Sequence, residues 1–176
     1  MKYIVTILFS LITVLVYGQE ESLQTQSSPL EFSNLFDATN KNDIACYRIP
    51  AMVTAPNGDL LAAIDERGPS CADLRGNRDI NIVLRRSSDN GATWSNIERI
   101  VDYPDGKSAS DPSLIVDSFT GAIFMFFNFM DLDLEKDVYY FQVVKSMDNG
   151  QTWSAPIAIT EQLASQEWHS DFKFIE

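Results

Sequence analysis

Apolar residues recur at every second position in short runs along this chain, and turn-forming residues separate the runs. In "DINIVLRR" the alternate positions Ile80, Ile82 and Leu84 are apolar, and "DVYYFQVVK" carries Val138 and Tyr140 in the same phase, with its other face also partly apolar. A period of two predicts strands, and helical periodicity is nearly absent. "YRIPAMVTAPNGDLLAAIDER" reads as a strand, a Pro-Asn-Gly turn at Gly58 and a second strand. "SDPSLIVDSFTGAIFMFFNFM" repeats that plan, with Pro112 standing for Pro50 and Gly121 for Gly58.

Each hairpin leads through a variable connection to a third strand, and both third strands end in one frame: "SSDNGATW" from Ser87 to Trp94, and "SMDNGQTW" from Ser146 to Trp153. The frame predicts a turn. Asp89-Asn90-Gly91 and Asp148-Asn149-Gly150 put residues that tolerate positive φ at the reversal, the Asp accepts backbone N–H groups across it, and Trp94 or Trp153 returns to pack beside the strand. Asp89, Gly91, Trp94, Asp148, Gly150 and Trp153 are therefore read as architecture. "IERIV" and "APIAIT" supply a fourth strand to each unit. Four strands in about sixty residues is the period of a propeller blade, which stacks radially because one blade cannot cover both its own faces. The predicted fold is all-β, a β-propeller of which this chain carries two blades and, at "EWHSDFKFIE", the start of a third. The expectation is an N-terminal portion of a longer protein.

Residues 1–18 stand outside this pattern. Lys2, the apolar run "YIVTILFSLITVLVY" and Gly18 have the order of a cleavable secretory signal, too short for a spanning helix; a short membrane anchor is the competing reading. Residues 19–40 are a polar lead-in, and 41–176 are the propeller portion. A signal implies a secreted or periplasmic protein without a membrane anchor, so Cys46 and Cys71 would meet an oxidising compartment. If Met52 pairs near Ala62, Cys46 falls roughly opposite Gly68, a few residues from Cys71. A Cys46–Cys71 disulfide and two reduced packing residues both fit.

The 13 Lys and Arg against 25 Asp and Glu give a formal charge of −12, which argues against nucleic acid or anionic membrane as a partner. Every arginine, however, lies between Arg48 and Arg99. An anionic ligand would have to be held by local guanidinium placement there. Arg85 and Arg86 end an outer-looking strand and read as solvated. His169, the one histidine, has no partner spacing for a metal or a triad and reads as structural or surface. The aromatics of "FMFFNFM" read as filling between blades, with one near the end of the run free to line a pocket.

Ionisable groups collect where inner-strand ends meet loops. Arg48 opens the first strand in "CYRIP", Arg67 closes the second in "DERG", and Asp73 follows in "GPSCADLRGN", with Asp79 a competing acid. At these residues the chain resembles the bacterial exo-α-sialidases (neuraminidases), secreted glycoside hydrolases with a six-bladed propeller. The resemblance covers roughly residues 44–160 and rests on "YRIP", the two boxes, the Arg-then-Asp pair and "DPS". It implies that Arg48 grips the carboxylate of sialic acid, a task suited to a planar guanidinium fork. It implies that Arg67 lies near the sugar's 4-hydroxyl, that Asp73 is the general acid/base, and that Asp111 borders the N-acetyl pocket. Sialylated glycans are the implied partner, with no cofactor and no metal. The nucleophilic Tyr, its Glu and two further arginines would lie beyond Glu176, so the chain alone is expected to be inactive. The alternative is a non-catalytic propeller that binds glycan or protein. The bland rivals are Arg48 paired with Asp65 or Glu66 as a surface strand charge, and Asp73 and Asp111 as turn formers. Asp73 needs a raised pKa to hold a proton, while a nearby Arg67 lowers it; the sequence leaves the balance open.

Overall fold

The computed structural model describes residues 32–164; residues 1–18 and His169 lie outside them. Eight strands form two four-stranded antiparallel meanders, each in chain order. The first sheet comprises β1 (Cys46–Thr54), β2 (Leu60–Gly68), β3 (Asp79–Ser87) and β4 (Glu98–Val101); the second comprises β5 (Lys107–Val116), β6 (Ile123–Asp131), β7 (Tyr140–Ser146) and β8 (Ile157–Ala158). These are two propeller blades. The pattern overstated the ends of the second: Val138 is exposed ahead of β7, and "APIAIT" contributes only a two-residue strand. Among the described residues no helix is long and apolar enough to cross a membrane.

The alternation explains how the blades stack. Leu61, Ala63, Ile82 and Leu84 of the first sheet share one buried cluster with Ile123, Met125, Phe127 and Val144 of the second. Phe127 thus fills the space between blades, as the aromatic run predicts. Phe124 and Phe126 fall on the opposite face of β6, where Phe126 stacks on Phe141 at 6.1 Å between centroids.

The two boxes fold alike, bond for bond. Asp89 Oδ1 accepts the Thr93 N–H at 2.8 Å and Asp148 Oδ1 the Thr152 N–H at 2.9 Å. The Ser87 and Ser146 hydroxyls each accept the N–H of the box glycine at 2.8 Å. Asn90 and Asn149 hold φ of 57° and 59°, and the indole N–H groups of Trp94 and Trp153 donate to the glycine carbonyls at 3.1 and 3.2 Å. The second box also seals the blade interface. A Cβ on Gly150 would lie 2.6 Å from Leu61 Cδ1, a close approach that only glycine permits.

Arg86 donates to the Gly150 carbonyl, and Arg85 donates to the Leu35 and Ser95 carbonyls, both at 2.6 Å. The expectation that these arginines are solvated is therefore corrected. They are half-buried because their guanidinium groups lie against backbone carbonyls, those of Leu35, Trp94 and Ser95 for Arg85 and that of Gly150 for Arg86.

These hydrogen bonds hold the Asp89 and Asp148 carboxyls down at about 2 from 3.8, chiefly through the threonine hydroxyls. A depressed folded pKa contributes stability that is present above the unfolded pKa and lost as pH falls through the folded one. Melting temperature should therefore fall between pH 4 and pH 2, and this acid loss should shrink in Asp89→Asn and Asp148→Asn when both are followed by thermal unfolding across that window.

A bulge interrupts each inner strand at its motif, between Arg48 and Ala51 in β1 and between Ser110 and Ser113 in β5. Ile49 and Asp111 take φ of 56° and 62° there, each just before a proline. A β-branched residue in that region is strained, and a bulge re-aims the side chains around it. The extra residue also shifts the register: Met52 does pair with Ala62, but Cys46 pairs with Arg67 instead of lying opposite Gly68.

Candidate active site

Arg48, Arg67 and Asp73 meet at one end of the first sheet. Arg48 is carried there by β1 just before its bulge, Arg67 by the end of β2, and Asp73 by the loop from Pro69 to Arg78. Four contacts shape this loop. Cys71 is bonded to Cys46, with Cα atoms 5.7 Å apart. The buried Asn77 side chain donates to the Ser70 carbonyl at 2.8 Å and to the Ala72 carbonyl at 3.3 Å. Leu74, in a single 3-10 turn (Leu74–Gly76), plugs a small cluster with Ile80 and Met130. Gly68 lets the strand end pass the Asp43 carbonyl, which a Cβ would meet at 2.3 Å.

Arg48 Nη1 donates to Asp73 Oδ1 at 3.3 Å and to the Cys71 carbonyl at 3.1 Å, and its side chain is 43% exposed. Its expected rivals are engaged elsewhere: Asp65 bonds Arg67, and Glu66 bonds Arg99 at 2.8 Å and accepts the Tyr47 hydroxyl at 2.9 Å. Asp73 is 55% exposed at the rim, one carboxylate oxygen shared by both guanidinium groups. The competing acid, Asp79, starts β3 and accepts the Asn81 amide at 2.8 Å.

Arg67 lies below this rim. It is fully buried, and each of its nitrogens has a partner: Nε and Nη2 on Asp65 at 3.2 and 2.8 Å, Nη2 on Ser110 at 3.3 Å, and Nη1 on Ala72 O at 3.0 Å, on Cys71 O at 3.3 Å and on Asp73. The resemblance puts this arginine against a sugar hydroxyl. In this structure it lies beneath Asp73, because the second sheet packs over the end of β2, and it bonds that carboxylate. Its hydrogen bond is the main cause that holds the Asp73 carboxyl below the ordinary carboxylate range, with the charges of Arg67 and Arg48 acting in the same direction. The balance left open by the sequence therefore falls to the arginines in this state.

Asp111 reaches the same end from the second sheet. Its backbone N–H donates to Asp65 Oδ1 at 3.0 Å, and its exposed carboxylate accepts the Asn128 amide at 2.9 Å. Asn128 also lines an open cleft of about 810 Å³ with Tyr140, Phe141 and Thr160, whose walls include none of Arg48, Arg67 and Asp73. Sequence reasoning missed Asp65 and Asn77. Both read as ordinary polar residues until the second sheet and the loop close over them.

The fold and the site together define a blade pair of the Asp-box propeller class. Residues 49–175 match the BNR repeat-like domain family, and the chain belongs to it. It is 32% identical over 148 residues to a sialidase of Bacteroides fragilis, which covers 71% of this chain and 26% of that protein. It is 34% identical over 141 residues to a sialidase of Micromonospora viridifaciens, covering 72% of this chain and 21% of that protein. Among solved structures, a Hadza microbial sialidase superimposes with a TM-score of 0.63 at 28% identity, over 73% of this chain and 28% of that one. The chain thus spans about a quarter of the length of these relatives.

Proposed function

We propose that the protein to which this chain contributes is a retaining exo-α-sialidase, a secreted glycoside hydrolase that removes terminal sialic acid from glycans. The observation that carries this reading is the convergence of Arg48, Arg67 and Asp73 on one carboxylate oxygen at a rim, in a family whose curated relatives include sialidases.

The chemistry follows from the charges. A sialoside carboxylate takes Arg48 away from Asp73 and brings its own negative charge beside it, and both changes raise the affinity of Asp73 for a proton. Protonated Asp73 then donates to the glycosidic oxygen as the bond from that oxygen to the sugar breaks, and the carboxylate left behind accepts a proton from the water that completes hydrolysis. A Tyr supplied outside the described residues is the nucleophile in this reading. Arg48 and Arg67 against Asp65, Asp73 and Asp111 leave this end with more carboxylates than guanidinium groups, so further arginines are needed to hold an anion.

The full-length protein should release the aglycone from an α-linked fluorogenic sialoside, with the α-anomer of sialic acid appearing first by proton NMR. Glycan binding without any release would instead favour a non-catalytic propeller.

A further inference from the structure

Asp65 lies at the junction of the two sheets and has no exposed surface. Its Oδ2 accepts Arg67 Nη2 at 2.8 Å, Arg67 Nε at 3.2 Å and the Ser110 hydroxyl at 2.6 Å, while its Oδ1 accepts the Asp111 N–H at 3.0 Å. One carboxylate thus fixes a guanidinium from its own sheet and, from the neighbouring sheet, the N–H at the bulge where Asp111 takes φ of 62°. A buried charge is tolerated only when it is paired and hydrogen-bonded, and this one spends its bonds on groups that face the candidate site. Arg67 in turn uses its remaining nitrogen on the Asp73 loop. Arg67 Nη2 also reaches Ser110 of the second sheet at 3.3 Å, but it is Asp65 that holds the backbone N–H of the second sheet's bulge.

We infer that Asp65 is a positioning residue that locks the acid/base side of the site in the first sheet to the Asp111 side in the second, through Arg67 and through the backbone of Asp111. This rests on the sialidase reading for its catalytic consequence, not for the linkage itself. The role has an electrostatic part. Asp65 offsets the charge that Arg67 turns toward Asp73; without it, Arg67 and Arg48, the two cations facing Asp73, hold that carboxyl ionised more firmly.

The test uses the full-length protein with Asp65→Asn and Asp65→Ala. Asn keeps an acceptor for the Asp111 N–H but removes the charge facing Arg67, so by hydrogen-exchange NMR the Arg67 Nε–H should exchange about tenfold faster and the Asp111 amide should hold. Asp65→Ala should free both groups, and the amides of β6 should stay protected in either variant. In turnover, the alkaline limb of kcat/KM should move to lower pH in Asp65→Asn. Exchange unchanged at Arg67, or raised equally throughout the core, overturns the linkage. Local exchange with an unmoved pH profile in an active protein overturns the positioning role. If the wild type releases no sialic acid, the sialidase reading fails, and the exchange data still decide the linkage; should Asp65→Ala not fold, Asp65→Asn decides it alone.

Discussion

Asp73→Ala in the full-length protein should lower kcat on a natural sialoglycan by about 10²–10⁴-fold, the range of a lost general acid/base. The loss should be much smaller on an aryl sialoside, because a phenolate leaves without needing a proton. That contrast is specific to proton donation, since a variant that merely misfolds the loop would lose both substrates alike. The structure adds a pH signature. Arg67 and Arg48 hold Asp73 low when the site is empty, and a bound carboxylate reverses part of that effect. The alkaline limb of kcat, which reports the complex, should therefore lie at higher pH than that of kcat/KM, which reports the free protein. Equal losses on both substrates would remove Asp73 from the acid/base role.

The second large effect concerns stability. Arg67 and Asp65 form an ion pair with side chains 1% and 0% exposed. Arg67→Ala leaves Asp65 buried without its cation and should cost about 3–5 kcal/mol, read as a lower urea midpoint with an unchanged slope. Burial already pushes the Asp65 carboxyl up to about 6 against the opposing pull of Ser110 and Arg67, so losing Arg67 should raise it further. A double change, Asp65→Leu with Arg67→Met, should recover part of the stability, because an apolar pair carries no desolvation penalty, and it should recover no turnover. A loss under about 1 kcal/mol in Arg67→Ala would mean the pair is solvated and the buried arrangement wrong.

The blades were legible because strand alternation and the Asp-Asn-Gly turns are local signals, and Ile82, Leu84 and both boxes behave as their spacing demands. What escaped was set by residues distant in the chain. The bulges at Ile49 and Asp111 leave no mark in the hydrophobic pattern, so the register at Cys46 was one residue off, although the Cys46–Cys71 bond forms. Asp65 reads only as a surface partner for Arg48, and Arg67 as a group near a sugar hydroxyl; the arrival of Ser110 and Asp111 from the second sheet is what buries the two together. Arg86 was misread for the same reason, since its acceptor, the Gly150 carbonyl, belongs to the other blade. The meeting of Arg48 with Asp73 could be anticipated from the resemblance, but the sharing of one oxygen with Arg67 could not.

In the proposed sialidase, Arg48 and Asp73 form one device, a cation that takes the carboxylate of an anionic sugar and thereby readies the acid beside it. This is tested most directly by comparing an aryl sialoside with its analogue in which that carboxylate is reduced to an alcohol, in the wild type and in Arg48→Ala of the full-length protein. The wild type should disfavour the reduced analogue by about 10⁴–10⁵-fold in kcat/KM, and Arg48→Ala should narrow that gap sharply by losing activity on the natural substrate alone. An identical gap in both proteins would show that Arg48 does not hold the carboxylate, and would contradict the account.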